Sequence, residues 1–198
     1  MTHPPQRVVI VGAGFAGLSA ARALESRQDV QITLLDRSNH HLFQPLLYQV
    51  ATGGLNPSEI SSPIRSLFRK SPRVHVMLGL MTGIDRARQT VEVDGGKTTL
   101  EYDYLILAMG GRTSYFGHSD WAFHAPGLKT LDDARKIRER VLMAFEKAEH
   151  EPDPEVRRRL MTMVVIGGGP TGVEMAGALA ELRSHVLGRR GTVRIAAP

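Results

Sequence analysis

The 198-residue sequence contains no cysteine, which excludes disulfide bonds, thiolate metal ligands and a redox dithiol within this chain. It also has no uninterrupted apolar run near the roughly 18 residues that indicate a membrane span. The stretch Met1–Arg7 is short and carries two prolines, so no secretory signal is visible. Basic and aromatic residues do not alternate, so nucleic-acid binding is not predicted. We therefore expect a soluble or peripheral protein.

The bulk composition is that of an ordinary globular chain, with 42% apolar and 23% charged residues. Its length allows one large domain or two small ones. The formal net charge is +5. We interpret the basic excess as solvated helix faces, with attraction to nucleotides or to an anionic membrane surface as the alternative.

The most informative stretch joins a predicted strand to a glycine-rich turn. Val8–Val11 are β-branched and typical of a short buried strand, and Gly12, Gly14 and Gly17 follow with the spacing G-x-G-x-x-G. The first glycine permits a sharp turn, the second leaves room for a pyrophosphate, and the third lets the following helix pack closely. Asp36, after a second apolar strand, is placed like a carboxylate that binds an adenosine ribose. Strand, glycines, helix, strand and acid in this order predict a dinucleotide-binding module.

The same pattern returns later in the chain. Met163–Ile166 are predicted as a strand, Gly167, Gly169 and Gly172 repeat the glycine spacing, and a helix follows. The apolar residues of that helix are Val173, Ala176, Leu179, Ala180 and Leu182. Two fingerprints in one chain indicate one module for a flavin dinucleotide and another for a nicotinamide dinucleotide. The predicted fold class is α/β with two Rossmann-like modules, the first nearly complete and the second only begun.

Apolar spacing and turn residues predict the remaining elements. The predicted strands are Val30–Leu35, Val74–Leu78, Met81–Asp85, Thr90–Val93, Thr98–Tyr102 and Tyr104–Ala108. One helix is predicted over Asn56–Arg69, with Pro63 in its early part as a residue that could shift its start. An amphipathic helix is predicted within Gly127–Glu149 with Thr130 as its N-cap. The apolar face of the second helix comprises Leu131, Ala134, Ile137, Val141, Leu142, Phe145 and Ala148.

Three domains are predicted from these elements. Residues 1–112 form the flavin module, residues 113–160 form a connecting segment, and residues 161–198 begin the nicotinamide module. Glu151–Pro154 end the amphipathic helix and act as a linker.

The segment Arg37–Leu55 is too irregular for a plain strand and too aromatic for a solvated loop. Its apolar side chains either pack in a core or lie against a flat ring, and the sequence leaves both open. His40 and His41 are adjacent and poorly placed to share a metal ion, so no metal site is predicted.

This segment also carries the most specific resemblance in the chain. His41–Gly53, with the letters HLFQPLLYQVATG, resembles the signature of type II NADH dehydrogenases. These are single-subunit flavoproteins that pass electrons from NADH to a membrane quinone without pumping protons. The resemblance covers Arg7 to about Leu187. Relatives of the glutathione reductase type and sulfide:quinone reductases use cysteines, so the absence of cysteine disfavours both.

The resemblance implies an FAD site in the first module. FAD contacts are implied for Gly12, Gly14, Phe15, Ala16, Gly17, Asp36, Arg37, Thr52, Met81, Ala108 and Gly110. Thr52 is expected beside the isoalloxazine ring, and Met81 is expected to offer backbone contacts to the adenine. Met109 stands where the family has threonine, so the loss of a hydroxyl contact is expected there.

An NADH site is implied in the second module. Its contacts are Gly167, Gly169, Pro170, Thr171, Gly172 and Glu174. The resemblance makes Glu174 the catalytic residue, near the nicotinamide. The alternative for Glu174 is an acid in the first turn of a helix, favoured by the helix dipole alone.

The chain departs from the family near its end. Thr192–Pro198 are predicted to include a strand but lack the acid that binds the NADH ribose in the family. We therefore expect an N-terminal portion that is weak or inactive by itself, lacks most of the quinone site and the membrane-docking region, and has exposed apolar surface and reduced stability. The parent is expected to be peripheral on the cytoplasmic face of the inner membrane, with a homodimer as one expected assembly.

Two alternatives stay open. The electron acceptor could be a ferredoxin, a rubredoxin or oxygen, although the segment His41–Gly53 argues against this. The chain could also be a non-catalytic nucleotide-binding or interaction module whose partner covers the exposed apolar surface.

Overall fold

The computed structural model describes residues 4–187, which form two compact units. The first unit combines the chain up to Leu42 with Ser61–Gly111. The second combines Phe43–Ile60 with the chain from Arg112 onward. The segment Phe43–Ile60 therefore belongs to a different unit from the chain on either side of it. The predicted domain boundaries after residues 112 and 160 stay a prediction.

Strands and helices are mixed up to Leu67, after which five strands in succession are followed only by helices in the described chain. The strands are β1 (Gln6–Val11), β2 (Val30–Asp36), β3 (His40–Leu42), β4 (Ser61–Pro63), β5 (Val74–Leu78), β6 (Met81–Asp85), β7 (Thr90–Val93), β8 (Thr98–Glu101) and β9 (Tyr104–Leu107). The α-helices are α1 (Phe15–Leu24), α2 (Leu47–Ala51), α3 (Ile64–Leu67), α4 (Trp121–His124), α5 (Leu131–His150), α6 (Pro154–Leu160) and α7 (Pro170–Glu181). Short 3₁₀ turns cover Gln44–Leu46 and Pro57–Glu59, and a π-helical turn covers Leu182–Leu187.

A four-stranded parallel sheet in the order β5-β2-β1-β9 forms the centre of the first unit and confirms the predicted α/β class. Parallel strands covered on both faces must be apolar throughout. Ile10, Ile32 and Leu34 of the two inner strands accordingly have no solvent exposure. The strands run in one direction, so the turn after Val11 and the acid Asp36 lie at the same edge of the sheet.

The predicted antiparallel excursion is confirmed as a three-stranded sheet, β6-β7-β8. The turn at Asp94–Gly96 leads from β7 towards β8. Val91 and Val93 of β7 are fully buried in a cluster with Val9 and Val11 of β1. The excursion therefore covers one face of the parallel sheet.

The predicted continuous helix over Asn56–Arg69 is wrong. A 3₁₀ turn is followed by β4, which pairs antiparallel with β3, and α3 begins only at Ile64. Pro63 is the last residue of β4 and lies opposite His40 in this pairing. A proline inside a helix removes a backbone hydrogen bond, so a helix that starts after Pro63 avoids that cost.

The predicted amphipathic helix and its N-cap are confirmed in the second unit. α5 buries Ala134, Val141, Phe145 and Ala148, whereas Leu142 of the predicted apolar face is exposed. α2 packs against both α5 and α7. The predicted end of the amphipathic helix is confirmed, because α5 ends at His150, whereas the linker role of Glu151–Pro154 stays a prediction. The short helix α6, which was not predicted, begins at Pro154 and packs on α5.

The structure around the second glycine fingerprint confirms the predicted helix but not the predicted strand. α7 is confirmed, but Met163–Ile166 form no strand within residues 4–187, and Val164 and Ile166 are 80% and 79% exposed. A strand needs a neighbour for its backbone groups, and no neighbour pairs with this stretch in the described chain. α7 buries Met175 and Leu179, and the following turn buries Leu182. The predicted apolar residues Val173, Ala176 and Ala180 are exposed. The strand predicted within Thr192–Pro198 lies outside the described residues.

Candidate dinucleotide-binding site

The turn after β1 is built so that only glycine fits at two of its positions. Gly12 has a φ of +102°, and a Cβ atom there would overlap the Ala108 carbonyl at the end of β9. A Cβ atom at Gly17 would overlap the Gly12 carbonyl oxygen. The helix α1 therefore packs directly on the backbone of the turn, as the predicted roles of the first and third glycines require.

Gly14 differs from these two glycines because it faces open space. Among the described residues, no atom beyond its chain neighbours and its own helix lies within 4 Å of the position of a Cβ. It is the N-cap of α1, no side chain caps the helix there, and the first turn holds no acidic residue. The N–H groups at the start of α1 are thus available to an anion, and the open backbone fits a pyrophosphate.

Asp36 contacts the turn directly. One carboxylate oxygen accepts a hydrogen bond from the Ala13 N–H at 2.6 Å, and the other accepts one from the Ser38 N–H at 2.7 Å. Each oxygen of an ionised carboxylate has a second lone pair, so Asp36 can also accept hydrogen bonds from ribose hydroxyls. Its ribose contact stays a prediction.

His41 lies at the same turn, which sequence reasoning did not foresee. Its Nδ1 atom is 3.0 Å from the Ala13 carbonyl oxygen, and its ring meets the Phe15 ring edge to face. The only signal in the sequence was the position of His41 at the start of the family signature.

The remaining residues of the predicted FAD set are divided between the units. Phe15, Ala16, Arg37, Met81, Ala108 and Gly110 belong to the first unit, and Thr52 belongs to the second. Ala108 packs beside Gly12 and Gly17, whereas Arg37 and Gly110 are exposed. Thr52 is buried, and its hydroxyl donates to the Tyr48 carbonyl at 2.9 Å. Contacts of these residues with FAD stay predictions.

The second fingerprint has the same local shape as the first. Gly167 also has a φ of +102°, a Cβ atom at Gly172 would overlap the Gly167 carbonyl, and Gly169 faces open space as the N-cap of α7. Pro170 is the first residue of α7, a position where its missing N–H costs nothing. Thr171 follows it in the first turn.

Glu174 is exposed and is the fifth residue of α7, beyond the first turn, which contains no acid. The alternative interpretation of Glu174 as a first-turn acid is therefore wrong. Its role beside a nicotinamide stays a prediction.

Two negative findings apply to residues 4–187. No group of three or more His, Asp or Glu side chains in this range could hold a metal ion. None of the helices there combines the length and apolar character needed to cross a membrane.

The fold and the two fingerprints define a dinucleotide-binding protein of the α/β class. The family model of the pyridine nucleotide-disulphide oxidoreductases matches residues 6–194, and the chain belongs to this family. FAD is characteristic of the family. The sequence has no cysteine, so this chain supplies no disulfide of its own.

The relatives narrow this assignment. The type II NADH:quinone oxidoreductase Ndh of Mycobacterium tuberculosis is 53% identical over 189 residues, which are 93% of this chain and 41% of Ndh. NdhA of the same organism is 50% identical over 183 residues, which are 91% of this chain and 39% of NdhA. The structure of NDH2 from Plasmodium falciparum in complex with NADH matches with a TM-score of 0.82 at 26% identity, over 93% of this chain and 39% of that chain.

These matches confirm the resemblance predicted from His41–Gly53. They also show that the chain spans about two fifths of the length of these relatives.

Proposed function

We propose that this chain forms the FAD-binding module and the beginning of the NAD(H)-binding module of a type II NADH:quinone oxidoreductase. The observation that carries the proposal is the first turn, where Gly14 leaves open space at the start of α1 and Asp36 lies beside it. The identity of 53% with Ndh supports NADH and a quinone as the substrates.

The first unit binds and orients the flavin in this proposal. The bound FAD supplies a ring that accepts a hydride and passes electrons on. The N–H groups at the start of α1 hold the pyrophosphate, and the carboxylate of Asp36 accepts hydrogen bonds from the ribose. Met81 is the residue proposed for backbone contacts to the adenine, and Thr52 is the residue proposed beside the ring.

The second fingerprint takes part in binding NADH. The turn from Gly167 to Gly169 leaves the start of α7 open to a pyrophosphate, as its counterpart does for α1. Pro170 and Thr171 line the same helix start. Glu174 lies one turn further along α7 and is exposed, and we propose it as the residue near the nicotinamide.

The proposal extends to the location and assembly of the parent protein. A quinone substrate, named for several relatives, favours a peripheral protein on the cytoplasmic face of the inner membrane. We also propose a homodimer as the assembly of the parent. Membrane flotation of the parent tests the peripheral location. Gel filtration with light scattering tests the homodimer.

The activity is tested with two forms of the protein. One is the 198-residue chain, and the other is the same chain joined to the C-terminal part of Ndh that the match leaves uncovered. We expect both forms to bind FAD and quench its fluorescence. We expect NADH to bleach the flavin absorbance of the joined form without oxygen, and an added quinone to restore it.

Each failure has a separate meaning. A chain that is folded by circular dichroism yet leaves FAD fluorescence unchanged would overturn the FAD assignment. If NADH bleaches the flavin of the joined form and only a ferredoxin or rubredoxin restores its absorbance, that protein and not a quinone is the electron acceptor. A joined form that binds FAD but ignores NADH would support a nucleotide-binding module without this activity.

A further inference from the structure

Both backbone polar groups of Ala13 are held by side chains. The N–H donates to Asp36 at 2.6 Å, and the carbonyl oxygen lies 3.0 Å from Nδ1 of His41. Ala13 is 2% exposed, so its carbonyl oxygen has little access to water. An unsatisfied buried carbonyl is costly, and within the described residues the hydrogen bond from His41 satisfies this one.

The contact identifies which ring nitrogen of His41 donates the hydrogen bond to Ala13. A carbonyl oxygen can only accept a hydrogen bond, so Nδ1 of His41 must carry the proton and act as the donor. The ring is also held by Phe15, whose centroid lies 5.3 Å away at an interplanar angle of 88°. This edge-to-face geometry is one of the two favoured arrangements of a pair of aromatic rings.

The backbone of His41 is anchored as well. It lies in β3, where it is paired opposite Ser62 of β4. The pairing of β3 with β4 fixes the position of the His41 backbone, and the contact with Phe15 orients the plane of the imidazole ring. The donor atom is therefore held in position before any ligand arrives.

We propose that His41 is a positioning residue for the pyrophosphate-binding turn. Ala13 lies between Gly12, which makes the sharp turn, and Gly14, whose backbone faces the open space. By holding the Ala13 carbonyl while Asp36 holds the N–H, His41 keeps this backbone in the conformation that admits a pyrophosphate. The inference rests on the proposed FAD site for its ligand, but the positioning itself can be measured without flavin.

The adjacent His40 supplies a matched control. It lies in the same strand, and the hydrogen bond of its Nδ1 is with the Asn39 side chain at 3.1 Å. His40→Ala removes an imidazole from β3 without touching the turn. His41→Phe keeps an aromatic ring against Phe15 but removes the donor, and His41→Gln keeps a side-chain donor without the ring.

The experiment measures two quantities for the 198-residue chain and its four variants, including His41→Ala. The first is the exchange rate of the Ala13 amide hydrogen, measured by NMR without flavin and compared with amides of β2. The second is the dissociation constant for FAD. We expect His41→Ala and His41→Phe to raise both about 5- to 10-fold, the loss that follows from one hydrogen bond. We expect His41→Gln to recover part of this loss and His40→Ala to change neither.

The results separate this inference from the proposed function. Amide exchange and FAD affinity within about twofold of the unaltered chain in both His41→Ala and His41→Phe would overturn it. A lower melting temperature with unchanged affinity of the folded protein would also overturn it, because His41 would then serve stability alone. Faster Ala13 exchange in a chain that binds no FAD in any variant would retain the positioning role and reject the FAD site.

Discussion

The carboxylate of Asp36 accepts a hydrogen bond from the backbone N–H of Ala13 at 2.6 Å. Asp36 is the last residue of β2, and Ala13 lies in the turn that follows β1. The contact therefore joins the carboxyl ends of two neighbouring parallel strands at the place where a pyrophosphate would meet α1.

Asp36→Ala is expected to weaken FAD binding about 10- to 100-fold, because hydrogen bonds to charged groups contribute about 1.5–3 kcal/mol. The variant removes both the hydrogen-bond acceptor for the Ala13 N–H and the proposed acceptor for the ribose hydroxyls. Fluorescence titration with FAD measures the change. Asp29→Ala is the control, because Asp29 directly precedes the first residue of β2, far from Asp36 at the other end of the strand, and forms a solvent-exposed ion pair with Arg27. Equal weakening in both variants would contradict a local role for Asp36.

Gly14→Ala and Gly17→Ala separate ligand binding from folding. A Cβ atom at Gly17 overlaps the Gly12 carbonyl, so we expect a loss of about 1–3 kcal/mol in the free energy of unfolding. A Cβ atom at Gly14 meets open space, so we expect that variant to lose about 1 kcal/mol at most and to bind FAD poorly. Urea unfolding and FAD titration measure the two effects. Tight FAD binding by Gly14→Ala would show that the pyrophosphate lies elsewhere.

Thr130→Ala is expected to destabilise the second unit. The Thr130 hydroxyl accepts from the Asp133 N–H at 3.1 Å, and the Asp133 carboxylate accepts from the Thr130 N–H at 2.9 Å. Loss of an N-cap of this kind costs about 1 kcal/mol, which lowers the melting temperature of a chain of this size by about 2–4 °C. Thermal denaturation followed by circular dichroism measures it. Thr130→Ser keeps the hydroxyl and is expected to have the same melting temperature as the unaltered chain. A similar fall in melting temperature in both variants would rule out the cap as the cause.

Glu25 is expected to make stability depend on pH. A hydrogen bond from Ser71 and the nearby Arg22 guanidinium hold the pKa of Glu25 below its usual value, and its side chain is 24% exposed. A lowered folded-state pKa adds stability above the unfolded value of about 4.3, and this contribution is lost as the pH falls through the folded pKa. We expect Glu25→Gln to be less stable than the unaltered chain by about 0.5–1.5 kcal/mol at neutral pH.

Urea unfolding across the acidic range tests the prediction for Glu25. The difference between Glu25→Gln and the unaltered chain should shrink towards zero as Glu25 becomes protonated. A difference that stays constant from neutral to strongly acidic pH would mean that the carboxylate charge is not its source.

Local sequence patterns predicted those parts of the fold whose causes are local. The β-branched run before Gly12, the glycine spacing and the cap at Thr130 each act within a few residues, and the structure contains all three. The stretch Asn56–Arg69 has apolar residues at helical spacing, but β4 within it pairs with β3, some 20 residues earlier. That pairing is a tertiary contact, so helical periodicity could not reveal it.

The same limit applies to the candidate site. The glycines and Asp36 could be placed at the turn because the fingerprint fixes their spacing. The contact of His41 with Ala13 joins residues 28 positions apart and depends on the β3–β4 pairing. The strand predicted at Met163–Ile166 is wrong for the same reason: a strand depends on a pairing partner, and the described chain provides none for this stretch.

The strand β9 has β1 on one side and, within residues 4–187, no strand on the other. Tyr104 and Leu107 on this strand are 56% and 51% exposed. An open edge with apolar side chains is a template on which a strand from another molecule can add, which favours intermolecular association. Concentrated solutions of the chain should therefore scatter light and precipitate well before dilute ones.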